Sequence, residues 1–251
     1  MTRAKYAVFM ASATNRAVAT LQRWSSSTAS VLMHRGALCH VRTAEPWVGL
    51  TFDDGPHPRW TPQMLDRLEQ HGLIATFFVV GREAAEFPEI VRETRRRGHE
   101  IGTHLYFHRR VSGVSSTALR DEIVRSRDEL QQLLGERIRF LRFPYGESGG
   151  LSAGAVNLEL GLRPIHWTFS SLDSRAKSEL EIEARVSPRL RSGAIVLMHD
   201  CLADANENLP LRYNPDRSAV LAFTPILARI LKEKALRPAT LSQLIDSARK
   251  S

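Results

Sequence analysis

Short stretches of the 251-residue chain place acidic and imidazole side chains directly after apolar runs. Two carboxylates, Asp53 and Asp54, close one run, and two histidines four residues apart, His104 and His108, follow another. Two imidazoles and one carboxylate supply three ligands of the kind that catalytic zinc uses, and they leave an open position for water. These residue types in this spacing therefore form a candidate three-ligand metal site.

Three further polar groups occupy similar positions. Arg142 lies in the segment Arg-Phe-Pro-Tyr-Gly, Asp173 follows the apolar stretch around Trp167, and His199 follows the run 195–198. Each signal is weak alone, because an isolated Asp-Asp-Gly-Pro is usually a turn and an isolated His-x-x-x-His pair usually lies on the surface. The interpretation depends on the whole set in this order.

The elements that must position these residues alternate between strands and helices. Apolar runs predict strands at residues 48–52, 74–80, 139–143, 164–169 and 194–198. Helices are predicted to start at Thr61-Pro62 and to span residues 88–97, 116–134 and 219–234. Repeated strand–helix units predict an α/β fold with a parallel sheet closed as a barrel, in which the C-terminal strand ends converge on one face. The polar segment 201–218 is predicted to be a loop near that face.

The motifs resemble those of the polysaccharide deacetylase (NodB homology) family, carbohydrate esterase family four. The matching segments are Thr51-Phe52-Asp53-Asp54-Gly55-Pro56, His104-Leu105-Tyr106-Phe107-His108, Arg142-Phe143-Pro144-Tyr145-Gly146 and Leu197-Met198-His199-Asp200. The resemblance runs from about residue 47 to residue 244. It implies a deformed (β/α) barrel of about seven strand–helix units.

The resemblance also implies an activity and assigns residues to it. The activity is metal-dependent removal of an acetyl group from an N-acetylated oligosaccharide or glycoconjugate, such as a chitooligosaccharide or a peptidoglycan-type glycan. By the match, Asp54, His104 and His108 would bind the metal, which is Zn²⁺ or another divalent ion such as Co²⁺. Asp53 would be the general base and His199 the general acid.

Two residues are expected to support the acid and the base. By the resemblance, Arg142 would orient Asp53 and favour its charged form, because a nearby cation stabilises a carboxylate. Asp173 would pair with His199 and favour the imidazolium that a general acid needs at neutral pH.

Four residues are candidates for contact with the substrate. The backbone N–H of Tyr145 would hold the developing oxyanion, by analogy with the family. Leu197 would form an apolar wall for the acetyl methyl group, and Trp60 and Tyr106 are candidates for stacking on a sugar ring.

The chain departs from the family pattern in two motifs. In the second motif Leu105 replaces Ser or Thr, Phe107 replaces a small polar residue, and Arg109 stands where the family often has Pro. The fourth motif lacks its first Asp, and Ser174 replaces a tryptophan that lines the groove. All the proposed metal ligands and acid–base residues remain, so these changes affect the substrate groove more than the chemistry.

Other functions are compatible with the same residues. An O-acetyl esterase or a deformylase acting on a sugar conjugate would keep the site and change the acyl group. A non-catalytic sugar-binding barrel would keep the fold alone. Nucleic-acid binding is not expected, because the segment that carries the site is close to neutral and shows no recognition motif.

The net charge of +8 is concentrated at the start of the chain. Residues 1–44 contain six Lys and Arg and no Asp or Glu, so the rest of the chain carries only +2. This difference predicts a basic N-terminal extension at residues 1–45, helical or flexible, followed by a catalytic domain at residues 46–251. The oligomeric state is left open.

The extension has several interpretations. Apolar residues between Tyr6 and Trp24 recur at helical spacing, which is typical of a helix packed on the domain or of a transit-type presequence. A secretory signal fits less well because Asn15-Arg16 interrupts a short apolar stretch. Without a convincing signal or a run of about 18 apolar residues, we expect a cytoplasmic protein, with residues 1–44 a candidate for peripheral membrane contact.

Overall fold

The computed structural model describes residues 31–34, 36–148, 154, 157–203 and 213–248. The strands in these ranges are β1 (Val31–His34), β2 (Ala37–Val41), β3 (Trp47–Asp53), β4 (Thr76–Val79), β5 (Glu100–Thr103), β6 (Phe140–Leu141), β7 (Arg163–Pro164), β8 (Phe169–Ser170), β9 (Ile195–His199) and β10 (Arg237–Ala239). The helices are α1 (Trp60–Gln70), α2 (Gly81–Glu86), α3 (Pro88–Arg96), α4 (Ser116–Leu134), α5 (Glu179–Val186), α6 (Ser218–Glu233) and α7 (Leu241–Ser247).

Eight parallel strands form one curled sheet with β3 at its centre. The order is β7-β6-β5-β4-β3-β9-β8, and β10 also pairs with β3. All residues of β3 after Trp47 are buried, as expected for a parallel strand with both faces covered. The predicted deformed (β/α) barrel is confirmed, although it is a half-barrel, because no ladder joins β7 to β8 in the described ranges.

The antiparallel hairpin of β1 and β2 lies across the open side of the half-barrel. Leu38 forms a parallel bridge to Ile165 beyond β7, and His40 forms an antiparallel bridge to Ala194 at the start of β9. Leu38 and Val41 are 0% exposed. The hairpin therefore adds apolar side chains and backbone partners where the main sheet does not close.

This hairpin differs from the extension expected at residues 1–45. The described part of that segment forms strands, because two short apolar runs flank Gly36, a pattern typical of a hairpin. The helix expected between Tyr6 and Trp24 lies outside the described residues. The domain boundary between residues 45 and 46 stays a prediction.

Most predicted elements agree with the structure to within two residues. The exceptions are in the second half of the sheet, where β6 is only two residues long and the strand predicted at 164–169 is two short strands, β7 and β8. The interruption arises because the chain changes partners there. Ile165 bridges to the hairpin, and Thr168 N–H donates to the Ile195 carbonyl at 2.8 Å. The sequence did not predict α2 or β10, and it indicated helices between and after the last strands without giving bounds for α5 or α7.

Helix α4 is the longest in the described ranges, with 19 residues. Its N-cap Ser115 accepts a hydrogen bond from Ala118 N–H, and Gly135 ends it in the left-handed conformation at φ 67°. Leu119, Ile123 and Leu130 are buried. No helix within the described ranges combines the length and the apolar character needed to cross a bilayer.

Gly193 lies where the hairpin meets β9, with φ +78°. A Cβ atom there would overlap the Val41 carbonyl oxygen. We expect Gly193→Ala to lower the free energy of unfolding by about 2 kcal/mol or more, from left-handed strain plus the collision, measured by chemical denaturation.

Gly113→Ala is the matched control, because Gly113 has φ +84° and a Cβ atom added there would meet nothing within 4 Å among the residues that the structure describes. Its free energy of unfolding should fall by only about 1 kcal/mol, the cost of the left-handed backbone strain without a collision. Equal losses in the two variants would contradict the proposed close contact of hairpin and barrel.

Candidate active site

The C-terminal ends of the parallel strands meet at a cavity of about 390 Å³. The predicted metal ligands, base and acid all line it: Asp53, Asp54, His104, His108 and His199. They come from the ends of β3, β5 and β9 and from the turn after β5. The expectation that distant strand ends share one pocket therefore holds for these five residues.

Asp54, His104 and His108 form a group that could hold a metal ion. All three are buried, and their ligand atoms lie within 4.8 Å of one another. Asp54 Oδ1 is 3.4 Å from His104 Nε2 and 3.2 Å from His108 Nε2. Ligands bound about 2.0–2.1 Å from a tetrahedral zinc lie about 3.3 Å apart. The donor set and its spacing therefore fit a zinc-type ion.

Hydrogen bonding and charge prepare this group for a cation. His104 Nδ1 is 2.8 Å from the Arg142 carbonyl, which can only accept, so Nδ1 carries the proton and Nε2 keeps its lone pair. Burial acts to raise the pKa of Asp54, but His108 and His104 outweigh it and hold that pKa well below its usual range.

Arg142 and Asp53 form a buried ion pair beside the metal-type group. Arg142 Nη1 donates to Asp53 Oδ1 at 2.6 Å and to Thr51 Oγ1 at 2.8 Å. Nη2 donates to the His166 carbonyl at 2.9 Å, and the guanidinium lies over the Phe78 ring at 4.1 Å. Arg142 is only 1% exposed. These contacts fix the orientation of the Asp53 carboxylate.

His199 is paired with Asp173 on the other side of the cavity. The ring atom His199 Nδ1 is 3.2 Å from Asp173 Oδ1, and the backbone N–H of His199 donates to Asp173 Oδ2 at 3.1 Å. Burial lowers the pKa of His199, but Asp173, Asp54 and Asp53 outweigh it and raise that pKa to about 9. His199 is therefore an imidazolium at neutral pH.

Asp173 is itself held by two further residues. Ser171 Oγ donates to Asp173 Oδ1 at 2.5 Å, and Arg217 Nη1 donates to Asp173 Oδ2 at 3.1 Å. Burial raises the pKa of Asp173, but His199 and then Arg217 and Ser171 lower it below the usual value. Sequence reasoning missed Arg217, which is 0% exposed and lies 44 residues away.

Asp200 is a further buried carboxyl group and lies next to the first motif. Asp200 is 1% exposed and accepts a hydrogen bond from Thr61 Oγ1. A Cβ atom at Gly55 would collide with its carboxylate, which explains why glycine follows the two aspartates. Burial, helped by the nearby charge of Asp54, raises the pKa of Asp200 to about 7.

The four candidate substrate contacts divide into two pairs. Tyr145, 44% exposed with φ 58°, and Leu197, 5% exposed, both line the cavity. Trp60 and Tyr106 are 9% and 7% exposed and do not line it. The Trp60 ring lies 4.2 Å from the Arg59 guanidinium, and the Tyr106 ring lies 3.6 Å from the Arg125 guanidinium. The structure does not bring Trp60 and Tyr106 to this cavity, and their stacking role stays a prediction.

The segment that begins at Tyr213, where the described residues resume, forms part of the cavity wall. Tyr213 lines the cavity together with Ser174 and Arg175. Its neighbour Asn214 donates through its backbone N–H to the Ser174 carbonyl at 2.8 Å. Sequence reasoning predicted a loop here but no site residue, because a tyrosine in a polar loop carries no motif.

The fold and the cavity together define a class of protein: a (β/α) half-barrel with a metal-type triad beside a buried aspartate and a partly buried histidine. The family model described as polysaccharide deacetylase matches residues 40–165, half of the chain. The chain belongs to the polysaccharide deacetylase family. Members of this family are metal-dependent, in agreement with the triad.

Individual relatives agree with this assignment. The chain is 35% identical over 152 residues to a peptidoglycan-N-acetylglucosamine deacetylase of Bacillus cereus, covering 61% of this chain and 55% of the relative. It is 32% identical over 166 residues to a chitooligosaccharide deacetylase of Azorhizobium caulinodans, covering 66% and 79%. The match thus spans about half of the first relative and most of the second.

A solved structure shows the same fold. It is a family 4 carbohydrate esterase from Streptomyces lividans in complex with acetate, with a TM-score of 0.68 and 32% identity. The similarity covers 77% of this chain and 92% of that structure.

Removal of the Arg217 guanidinium should destabilise the protein, because it takes away one of the two cations, Arg217 and His199, that face the buried Asp173 carboxylate. We expect Arg217→Leu to lower the free energy of unfolding by about 3–5 kcal/mol. Arg229→Leu on α6 is the control, because its guanidinium is 53% exposed and pairs with Glu183 and Glu233 near solvent. Its loss should have little effect on the free energy of unfolding, because solvent screens an exposed ion pair. Denaturant titrations measure both variants. An equal loss of unfolding free energy in the two would contradict the stabilisation of Asp173 by Arg217.

Proposed function

We propose that the protein is a metal-dependent deacetylase that hydrolyses the N-acetyl group of a sugar in an oligosaccharide or glycoconjugate. One observation carries the proposal: a single cavity combines the triad of Asp54, His104 and His108 with a salt-bridged Asp53 and a charged His199. An amide is cleaved by water when one group removes a proton from water and another donates a proton to the nitrogen. The two sides of the cavity offer one group of each kind.

Asp54, His104 and His108 would hold the metal, and we propose Zn²⁺, with Co²⁺ as a substitute. When bound, such an ion lowers the pKa of a water to about 7 and polarises a carbonyl oxygen. His104 presents Nε2 to the ion because its Nδ1 proton is donated to the Arg142 carbonyl.

Asp53 would accept the proton of the attacking water. Its Oδ1 is held by Arg142, whereas its Oδ2 is on the side of His104, 3.8 Å from Nε2. Arg142 therefore leaves one carboxylate oxygen directed towards the cavity. General-base assistance of this kind is typically worth about 10²–10⁴ in rate.

His199 would donate a proton to the leaving nitrogen. Because its Nδ1 is on the side of Asp173, Nε2 is the atom left to face the substrate. As the carbon–nitrogen bond breaks, the proton from His199 makes the leaving group a neutral amine, and the acetyl carbon keeps the water oxygen. The products are acetate and the free amino sugar.

Two cavity residues would recognise the acetyl group. The Tyr145 backbone N–H would donate to the developing oxyanion, and one such donor is typically worth about 10²–10³ in rate. Leu197, buried at the base of the cavity, would contact the methyl group. An acetyl group fits this arrangement because it presents one oxygen and one small apolar carbon.

The named relatives support a glycan that contains N-acetylglucosamine as the substrate class, since one acts on peptidoglycan and another on chitooligosaccharides by name. Peripheral membrane contact through residues 1–44, a cytoplasmic location and the absence of nucleic-acid binding stay predictions. The oligomeric state is open.

The two neighbouring aspartates allow a matched test. Asp53→Asn should reduce kcat by about 10²–10⁴ and leave zinc bound, because it changes the base and not a ligand. Asp54→Asn makes the same chemical change one residue further on and should weaken zinc binding. Acetate release is measured with chitooligosaccharides and peptidoglycan fragments, and zinc by metal analysis of the same samples.

The acyl group and the catalytic competence are tested with the same assay. Acetate release that stops with chelator and returns with Zn²⁺ supports the deacetylase. Faster turnover of acetylated xylan or of formylated sugars would instead indicate the esterase or the deformylase. No release from any acylated sugar by the zinc-loaded wild-type protein would leave a non-catalytic sugar-binding barrel.

The pH dependence should report His199. A general acid must be protonated, so turnover falls as pH rises through its pKa, which is about 9 in the wild-type protein. Asp173→Asn removes the charge that raises this pKa most, so the alkaline fall in kcat should move about 1–3 pH units lower. If Asp173→Asn still binds zinc and its kcat falls at the same alkaline pH as that of the wild-type protein, His199 is not the general acid.

A further inference from the structure

The turn that joins the two histidines of the triad has an unusual backbone. Leu105 and His108 have φ of 65° and 55°, in the left-handed region that non-glycine residues rarely occupy. The side chains inside the turn are those of Leu105, Tyr106 and Phe107, none of which can accept a hydrogen bond from nearby backbone N–H groups in the way that Ser, Asn or Asp does. The conformation therefore depends on partners outside the turn.

Helix α2 supplies partners for the carbonyl groups of the turn. Gly81 N–H donates to the Leu105 carbonyl at 2.9 Å, and Arg82 N–H donates to the Tyr106 carbonyl at 2.9 Å. Both N–H groups belong to the first turn of a helix, where the helix itself supplies no acceptor. They fix one side of the turn and leave its N–H groups to be satisfied elsewhere.

Glu122 on α4 supplies the partner for the N–H groups. Its Oε2 accepts hydrogen bonds from Tyr106 N–H at 3.1 Å and from Phe107 N–H at 2.9 Å. Glu122 is only 9% exposed, and its nearest cation is Arg109, with Nε 3.9 Å from Oε1. A buried carboxylate that accepts two adjacent backbone N–H groups makes strong, charge-assisted bonds.

The position of α4 relative to the site is also fixed. One turn after Glu122, the Ser126 hydroxyl is hydrogen-bonded to the Thr103 hydroxyl at 2.6 Å. Thr103 is the last residue of β5, directly before His104. The helix is thus anchored to the strand end on one side of His104 and to the turn on the other.

We propose that Glu122 is a positioning residue for the metal site: it holds the 104–108 turn so that His104 and His108 direct Nε2 at the same oxygen of Asp54. The inference rests on the proposed metal site and adds a residue that contacts neither the metal group nor the cavity. Glu122 acts through the backbone of Tyr106 and Phe107. A preformed turn lowers the ordering cost that metal binding would otherwise carry.

The test measures metal affinity in the full chain and does not depend on turnover. Zinc affinity is determined by competition with a chromophoric chelator, and site geometry by the visible absorption spectrum of the cobalt-loaded protein. We expect Glu122→Leu to weaken zinc binding by about 10- to 100-fold, the usual effect of removing a group that orients metal ligands, and to alter the cobalt spectrum.

Two conservative variants separate the acceptor geometry from the charge. Glu122→Gln keeps an oxygen at the same reach but loses the charge, whereas Glu122→Asp keeps the charge on a side chain one methylene shorter. A positioning role predicts that the Gln variant binds zinc more tightly than the Asp variant. The reverse order would show that the charge opposite Arg109 matters instead, and would overturn the proposal. This comparison also decides the question if Glu122→Leu does not fold.

Leu130→Ala controls for loss of stability. Leu130 is buried on α4 about two helical turns after Glu122, and its truncation destabilises the helix packing without touching the turn. It should unfold at a lower temperature and bind zinc like the wild-type protein. Wild-type affinity in Glu122→Leu, or an equal loss in Leu130→Ala, would overturn the role of Glu122 alone. A wild-type protein that binds neither zinc nor cobalt would remove the proposed metal site itself.

Discussion

The site depends on keeping ionised groups charged while they are buried. Asp53 and Asp173 are 3% and 2% exposed, and their arginine partners, Arg142 and Arg217, are 1% and 0% exposed. A buried charge costs several kcal/mol unless a counter-charge and hydrogen bonds accompany it. Each carboxylate therefore needs a guanidinium from a different part of the chain, at the end of β6 or at the start of α6. The barrel brings these distant cations to Asp53 and to Asp173, and Asp173 in turn pairs with His199.

Arg142 shows how one residue connects the base to the metal-type group. Its side chain holds Asp53, and its carbonyl accepts the Nδ1 proton of His104. The backbone N–H of Arg142 donates to the Thr103 carbonyl at 3.0 Å, and this bond fixes the end of β6 against the end of β5. A shift in this strand pairing would move the guanidinium and the carbonyl together. The register of two short strands therefore sets the relative positions of Asp53, the proposed general base, and His104, a proposed metal ligand.

The sequence predicted the parts of the site that follow strands directly. Asp53 and His199 are paired residues at the ends of the adjacent strands β3 and β9, so the rule that parallel strands end on one face was sufficient to bring them together. Arg217 and Glu122 could not be found in this way. Each is a charged residue at a helix start or in a helix, where solvent exposure is the usual expectation. Only the fold shows that one is buried against Asp173 and the other against the 104–108 turn.

The acid and one wall of the cavity form a single unit. Arg217 holds Asp173 and also donates to the Asn214 carbonyl, while Asn214 N–H donates to the Ser174 carbonyl. Tyr213, which lines the cavity, directly precedes this connection. Ser174 replaces the tryptophan of the family pattern, so Tyr213 supplies aromatic surface to a wall that lacks it there. Because Arg217 joins the backbone at this point to Asp173, the partner of His199, a shift of this wall would also disturb the proposed general acid.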